Sequence, residues 1–308
     1  LDPAAKAASK QRLRRQPRMD ARMLGTDLKY RLEYGVVRAV VWLVARLPLE
    51  TASSLSGWVW RQVAPRLKRH ERALHHLAAA FPDMNVADRE RVAGDMWEVL
   101  GRTFAESFYL PEIFASDRID VSGLEILRAY EGQGVVICAA HQGNWEVASM
   151  GLMRVGREPT GLYQKVKNPL VDAFLQDIRT PYYPAGLFAK DPATPLKLMR
   201  ILKRGGCLAM LADLREHTGL KVPFFGREAP STPFPALMAR NLGLPLFAGR
   251  ILREPGVRFR LSLERVEFPV TDDKDADILA ATANLQAAFE RSIREKPEQW
   301  MWAHQRWG

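Results

Sequence analysis

The densest chemistry in the chain lies between residues 135 and 150. An apolar run, Val135-Val136-Ile137-Cys138, stops at His141, and a helical pattern resumes after Asn144. The spacing predicts a buried strand, a tight turn at Gly143 and a helix over 145–156. His141 then stands at the strand's carboxyl end and Glu146 in the first helical turn. Open α/β sheets hold their ligands in that crevice. On one continuous helix the two side chains would point about 140° apart. A turn at Gly143 lets Glu146 fold back toward the imidazole. An imidazole held by a carboxylate through one nitrogen has a fixed tautomer and a more basic second nitrogen, as a general base requires. His-x4-Glu occurs by chance in many chains, usually as a surface pair. Its placement after a strand, with Gly143 and a capping Asn144 between the two residues, gives it weight here.

Three other stretches carry candidates. Lys165 and Lys167, between a strand and a helix that starts at Asn168-Pro169, are placed to hold a phosphate, though a solvated basic turn reads the same. Arg179 closes that helix. Cys207 to Asp213 is an apolar strand ending in a carboxylate, followed by Arg215; we expect Asp213 to position substrate or catalyst, with Arg215 beside it, although a loop or capping aspartate has the same look. Cys138 and Cys207 lie in apolar runs that raise a thiol pKa, so neither reads as a nucleophile, and without Cys-x-x-Cys no zinc ribbon or disulfide framework is indicated. The tail Pro297-Glu-Gln-Trp-Met-Trp-Ala-His-Gln-Arg-Trp307 is too aromatic to be left in solvent.

Elements that could position these groups follow from periodicity. Strands are expected at 134–140, 159–164, 206–212, 221–225, 245–251 and 257–266, and helices at 145–156, 168–179, 193–204, 233–243 (N-cap Thr232) and 274–296. Val222-Pro-Phe-Phe-Gly226 reads as core, with an acyl-groove wall as the other use of its aromatics. Upstream, residues 27–49, 50–80 and 86–110 read as helices, with Val92, Met96, Val99, Leu100 and Phe104 on one stripe of the third. His70, His75 and His76 are expected on a polar face, without metal-ligand partners.

Charge is distributed unevenly. Of 45 basic and 35 acidic residues, the first 75 positions hold 16 and 6, so the remainder of the chain is balanced. Such a localised excess is aimed at an anionic surface, either lipid or nucleic acid. Residues 1–26 read as a basic, disordered arm. Tyr30 to Leu49 is apolar but interrupted by Arg31, Arg38 and Arg46, too broken for a spanning helix and suited to the membrane interface, with a core helix as the competing reading. A nucleic-acid partner would leave the His-x4-Glu crevice unexplained, so lipid is expected. No Gly-x-Ser-x-Gly, P-loop or Gly-x-Gly-x-x-Gly is present, which removes support for serine hydrolysis, nucleotide hydrolysis and dinucleotide redox chemistry.

Together, His141-Gln-Gly-Asn-Trp-Glu146, Tyr163…Lys167-Asn-Pro169, Asp213 before Val222-Pro-Phe-Phe225, and Pro297-Glu-Gln-Trp…His304-Gln-Arg306-Trp307 resemble the late acyltransferases of lipid A biosynthesis, within the glycerol-3-phosphate acyltransferase superfamily. The resemblance covers residues 27–307. It departs at Gln164, where many relatives carry Arg, and at Asp213-Leu214, where many carry Asp-Gln. It implies a mixed central sheet with flanking helices in residues 111–308, forming one domain with a membrane-associated helical region at 27–110. It also implies acyl transfer, usually from acyl carrier protein, to a hydroxyl of a lipid A precursor at the cytoplasmic face of the bacterial inner membrane. His141 would be the base and Glu146 its partner, with Arg179 and Asp213 further site positions and no metal or cofactor beyond the acyl-thioester co-substrate. Backbone N–H groups around Gly143, or Arg179, are the expected oxyanion donors. An acyl-CoA-dependent enzyme acting on a lysophospholipid, an ornithine lipid or a phosphatidylinositol mannoside is the alternative.

Overall fold

A computed structural model describes residues 21–307, with side chains from Asp27 onward. The expected arm falls on residues 1–20, outside the described residues, and on 21–26, which begin the first helix.

Five helices come first: α1 (Ala21–Val44), α2 (Leu49–Val63), α3 (Lys68–Ala80), α4 (Val86–Glu106) and α5 (Leu110–Ala115). The stretch expected as one helix at 50–80 is two, parted by a short turn at Ala64–Arg66 that carries Pro65; proline lacks the N–H that would continue the ladder. Helices α2 and α4 pack closely. Ser56 Oγ donates to the Gly101 carbonyl at 2.7 Å, and a Cβ on Gly101 would run into the Ser56 carbonyl and Trp60. Asn85 caps α4 by accepting the Asp88 N–H.

The α/β part supplies a seven-stranded sheet in the order β1-β9-β8-β2-β5-β3-β4. Its strands are β1 (Ile119–Gly123), β2 (Val135–Ala139), β3 (Pro159–Tyr163), β4 (Leu187–Ala189), β5 (Cys207–Leu211), β8 (Leu246–Glu254) and β9 (Arg258–Arg265). Strands β8, β2, β5, β3 and β4 are parallel, and β9 turns back antiparallel to β8. Every residue of β2 is buried, as suits a central parallel strand covered on both faces. Helices α6 (Ala148–Arg154), α7 (Pro169–Arg179), α8 (Thr194–Lys203), α9 (Phe234–Leu242) and α10 (Lys274–Glu295) fill the connections and flanks. A separate hairpin, β6 (Leu220–Phe224) with β7 (Arg227–Ser231), completes the fold.

The six expected strands form. Strands β1, β4 and β7 were not anticipated: β4 spans only three residues, and β7 carries charged residues and a proline. Thr232, the expected cap of α9, stands one position outside the observed one. Pro233 occupies that place, and Thr232 Oγ1 accepts from the Phe234 N–H at 3.4 Å. His70 and His76 are buried rather than on a polar face. His70 meets Glu90 and the Trp97 indole, and His76 bonds the Trp302 carbonyl, because α3 is clamped between α4 and the returning tail. Phe224 and Phe225 are core: they pack against Trp300, Trp302 and Trp307 and line no groove.

Candidate active site

The turn after β2 is built by its backbone. The Gln142 N–H closes onto the Ala140 carbonyl at 2.7 Å, and Gly143 then takes φ +61°, a left-handed value in which a Cβ would also strike the Ile251 carbonyl. The tail braces it from outside. Gly143 N–H donates to the Gln299 carbonyl at 2.9 Å, Met301 N–H to the His141 carbonyl at 3.2 Å, and Gln142 pairs with Trp300 as an isolated bridge. Thr103 of α4 donates to the Gly143 carbonyl at 3.0 Å. Asn144 accepts the Glu146 N–H and donates to Glu106 at 2.9 Å. A 3-10 turn at Trp145–Val147 leads into α6, so the α-helix expected from 145 begins at Ala148.

His141 does not meet Glu146. Its Nδ1 lies 2.8 Å from Asp213 Oδ1, and its own N–H donates to Asp213 Oδ2 at 2.9 Å. Trp300 Nε1 adds a third bond to Asp213 Oδ2 at 2.7 Å. The carboxylate is fully buried. Burial alone would raise its pKa, but the His141 imidazole and the three hydrogen bonds outweigh burial and hold it below the usual carboxylate value. With an ionised Asp213 accepting at Nδ1, the imidazole carries its proton there and leaves Nε2 as the basic nitrogen. The register explains the pairing: β2 and β5 are adjacent and parallel, with Ala139 opposite Leu211, so their carboxyl ends deliver His141 and Asp213 side by side.

Glu146 is the partner of Arg179. The guanidinium donates from Nε to Oε2 at 2.8 Å and from Nη2 to Oε1 at 2.5 Å, a two-bond fork. Glu146 also accepts from the Trp145 indole at 3.2 Å, and the Trp145 ring stands edge-on to His141 with centroids 5.1 Å apart. The N–H groups of His141, Gln142 and Gly143 all have partners inside the protein, so these three are not free for an oxyanion. Arg179 lines the cavity beside them.

These groups line one end of a cavity of about 340 Å³. Its far wall is apolar, formed on the sheet face by Ile137, Ala139, Ala209, Leu211, Gly249 and Ile251 and roofed by Ala148 and Leu152 of α6. Lys190, Arg215 and Glu216 line its polar end. Lys165 and Lys167 do not: they are exposed on the outer side of the loop, which Asn168 fastens to α1 through the Tyr30 carbonyl and Glu33. Tyr183 also lines the cavity, its hydroxyl pushed up to about 12 by burial and by Glu146. Burial raises both thiols, Cys207 to about 12.

The sequence model described as bacterial lipid A biosynthesis acyltransferase matches residues 26–308. The chain belongs to that family. This acyltransferase is 28% identical over 280 residues to the lipid A biosynthesis lauroyltransferase of Escherichia coli (strain K12), covering 87% of this chain and 88% of that one. It is 26% identical over 316 residues to the phosphatidylinositol mannoside acyltransferase of Mycobacterium tuberculosis (strain ATCC 25618 / H37Rv), covering 96% and 93%. A lipid A biosynthesis palmitoleoyltransferase of Escherichia coli (strain K12) is 23% identical, at 87% and 88% coverage. The chain is thus a lipid acyltransferase.

Residues missed from sequence brace the acyltransferase's site. Glu106 is fully buried and accepts from Ser53, Asn144 and both Nη atoms of Arg253. The signal was present: the buried stripe Val92, Met96, Val99 continues at Thr103 and Glu106, and a carboxylate on a buried stripe needs partners. Gln299 holds Arg253 through both backbone groups, at 2.8 and 2.9 Å.

Proposed function

We propose that this acyltransferase moves a fatty acyl chain from a thioester donor, acyl carrier protein or coenzyme A, to a hydroxyl of a lipid A precursor. The observation that carries the reading is the His141–Asp213 pair, whose imidazole lines a cavity with a long apolar wall. A lipid hydroxyl is a poor nucleophile at neutral pH. His141 Nε2 takes its proton as the oxygen attacks the thioester carbonyl, and Asp213 stabilises the imidazolium that forms. Arg179, fixed by Glu146, faces the oxyanion. Collapse breaks the C–S bond, and the imidazolium returns its proton to the departing thiolate. The sequence needs neither a metal nor an acyl-enzyme. The apolar wall takes the acyl chain; Ala139, Ala209 and Gly249 keep a trough open across neighbouring strands.

Delivery of the acceptor rests on the N-terminal helices. No described helix is long and apolar enough to cross a membrane. On α1, however, Leu28, Leu32, Val36, Val40 and Leu43, spaced three and four apart, form an exposed stripe, while Tyr34 and Val37 on the opposite side are half-buried, Tyr34 against Phe174. Leu55, Trp58, Val59 and Val63 of α2 are exposed as well. Apolar faces of this size on a basic segment support a helix lying in the headgroup layer, and with it a peripheral enzyme at the cytoplasmic face of an inner membrane as part of the proposal.

The experiment is mass spectrometry of lipid A from cells with and without the gene. One acyl chain fewer in the deletion strain is expected; an unchanged acyl count sinks the lipid A assignment. The nearly full-length match to a phosphatidylinositol mannoside acyltransferase favours a second reading, a different membrane lipid as acceptor. It predicts that the missing acyl group is found in the phospholipid or glycolipid extract instead.

A further inference from the structure

Buried donors without an acceptor are uncommon in folded proteins and call for a reason. Five arginines carry a buried Nε with no partner: Arg89, Arg215, Arg250, Arg253 and Arg306. Four of them direct their other nitrogens to protein oxygens. Arg89 reaches the Phe81 and Pro82 carbonyls, Arg250 pairs with Glu295, Arg253 with Glu106, and Arg306 reaches Pro230, Ser231 and Gln286. Arg215 alone of the five makes no hydrogen bond and no ion pair among the described residues, and it lines the polar end of the cavity. The neighbouring cations differ from it. Arg179 is neutralised by Glu146, and Lys190 lies 3.3 Å from Glu216 in a half-exposed pair that solvent weakens. Arg250, which also lines the cavity, pairs with Glu295. Among the described residues the cavity therefore holds one arginine that no carboxylate matches, with Lys190 free to turn toward the same ligand.

We infer that Arg215, assisted by Lys190, binds the phosphate ester of a substrate at the cavity mouth. A guanidinium presents several N–H donors in a plane and suits phosphate oxygens better than a lone carbonyl. The inference rests on the acyl-transfer reading for its choice of substrate. There the phosphate has two sources, the phosphopantetheine arm of the thioester donor or a phosphate on the sugar of the lipid acceptor. Both would enter at the carboxyl ends of β3, β4 and β5, where Gln164, Lys190 and Arg215 stand. In either case the contact orients the substrate and takes no part in bond making.

The test compares the wild type with Arg215→Gln and Arg215→Lys, using donors and acceptors with and without phosphate. Lauroyl-CoA is set against lauroyl-pantetheine, and the phosphorylated lipid A precursor against its dephosphorylated form. For Arg215→Gln we expect kcat/KM to fall about tenfold or more, mostly through KM, for phosphate-bearing substrates alone, with partial rescue by Lys. A loss confined to lauroyl-CoA assigns the donor phosphate, and a loss confined to the phosphorylated acceptor assigns the acceptor's. An equal loss with and without phosphate, or none, overturns the inference. Binding of CoA and of vesicles carrying the phosphorylated precursor reads the same contact without turnover. If binding depends on Arg215 while the wild type transfers nothing, the acyl-transfer reading fails and the phosphate site stands; if neither is bound more weakly by the variant, the site fails whatever the turnover. Arg215 has no hydrogen-bond or ion-pair partner among the described residues, so the melting temperature of both variants should match the wild type.

Discussion

Asp213 stands on the tail side of the His141 turn and Glu146 on its cavity side, and the two carboxylates are held in opposite ways. Asp213 is sealed in the core and accepts only N–H groups, two from His141 and one from Trp300. No arginine or lysine pairs with it among the described residues, so its charge is directed at the imidazole. Glu146 is already neutralised by the fork of Arg179. A carboxylate in that state adds little to the basicity of a neighbouring histidine, but it fixes a guanidinium in place. The tail side is built for rigidity, with polar groups paired across Gln299, Trp300 and Glu106. The cavity side keeps cations in reserve for ligands.

That contrast can be broken at several points. The largest effect belongs to the tail side. His141→Ala and Asp213→Asn should each lower kcat by about 10²–10⁴ with the circular dichroism unchanged, and the double variant should be no worse than the more damaged single one, because the pair acts as a unit. Next comes the cavity side. Arg179→Gln should cost about 10²–10³ in kcat as an oxyanion donor is lost; unchanged turnover would remove Arg179 from the mechanism. Glu106→Ala tests the brace rather than the chemistry. It strands buried Arg253 and should cost about 3–5 kcal/mol in denaturant unfolding, whereas a loss below about 1 kcal/mol would show that the network is not needed for the fold.

Smaller effects probe the apolar wall. A Cβ on Gly249 sits 3.6 Å from that of Ala139, so a longer side chain there fills the trough. Gly249→Met should move donor preference to shorter acyl chains, at about 0.8 kcal/mol, or roughly fourfold in kcat/KM, per methylene excluded. An unaltered chain-length profile would place the acyl chain elsewhere. The smallest effect is a pH slope. Burial lowers the His76 pKa below its ordinary 6.5. The unfolded chain then binds the proton first, so stability is complete above about pH 6.5 and falls as the pH drops through that value toward the folded pKa. His76→Gln should flatten that part of the melting-temperature profile; an unchanged slope would mean that other groups carry it.

Much of this was legible in the chain. Val135 to Ala139 announced a central strand, and the six expected strands and the helices after residue 145 fall within a few residues of their hydrophobic patterns. His141 was legible because a strand end and a glycine turn can be read locally. Its partner was not: Asp213 is 72 residues away, and only the parallel pairing of β2 with β5 brings the two strand ends together. Glu146 reads as the partner from its closeness in sequence, the one kind of proximity a sequence displays directly, and from the family resemblance. The buried histidines escaped for a related reason, since the tail that covers His76 returns from more than 200 residues downstream. Lys165 and Lys167 look like ligands by charge and by their place before a helix N-terminus, whereas Arg215 stands out only once its surroundings can be seen.

The most direct test of the account sets Asp213→Asn beside Glu146→Gln in one acyl-transfer assay, with the same donor, the same membrane-bound acceptor and matched folded protein. The account predicts the deeper loss for Asp213→Asn, by about 10² or more, and a milder loss for Glu146→Gln, whose Arg179 keeps its charge. Near-normal turnover by Asp213→Asn alongside an inactive Glu146→Gln would contradict it and return the role of the base's partner to Glu146.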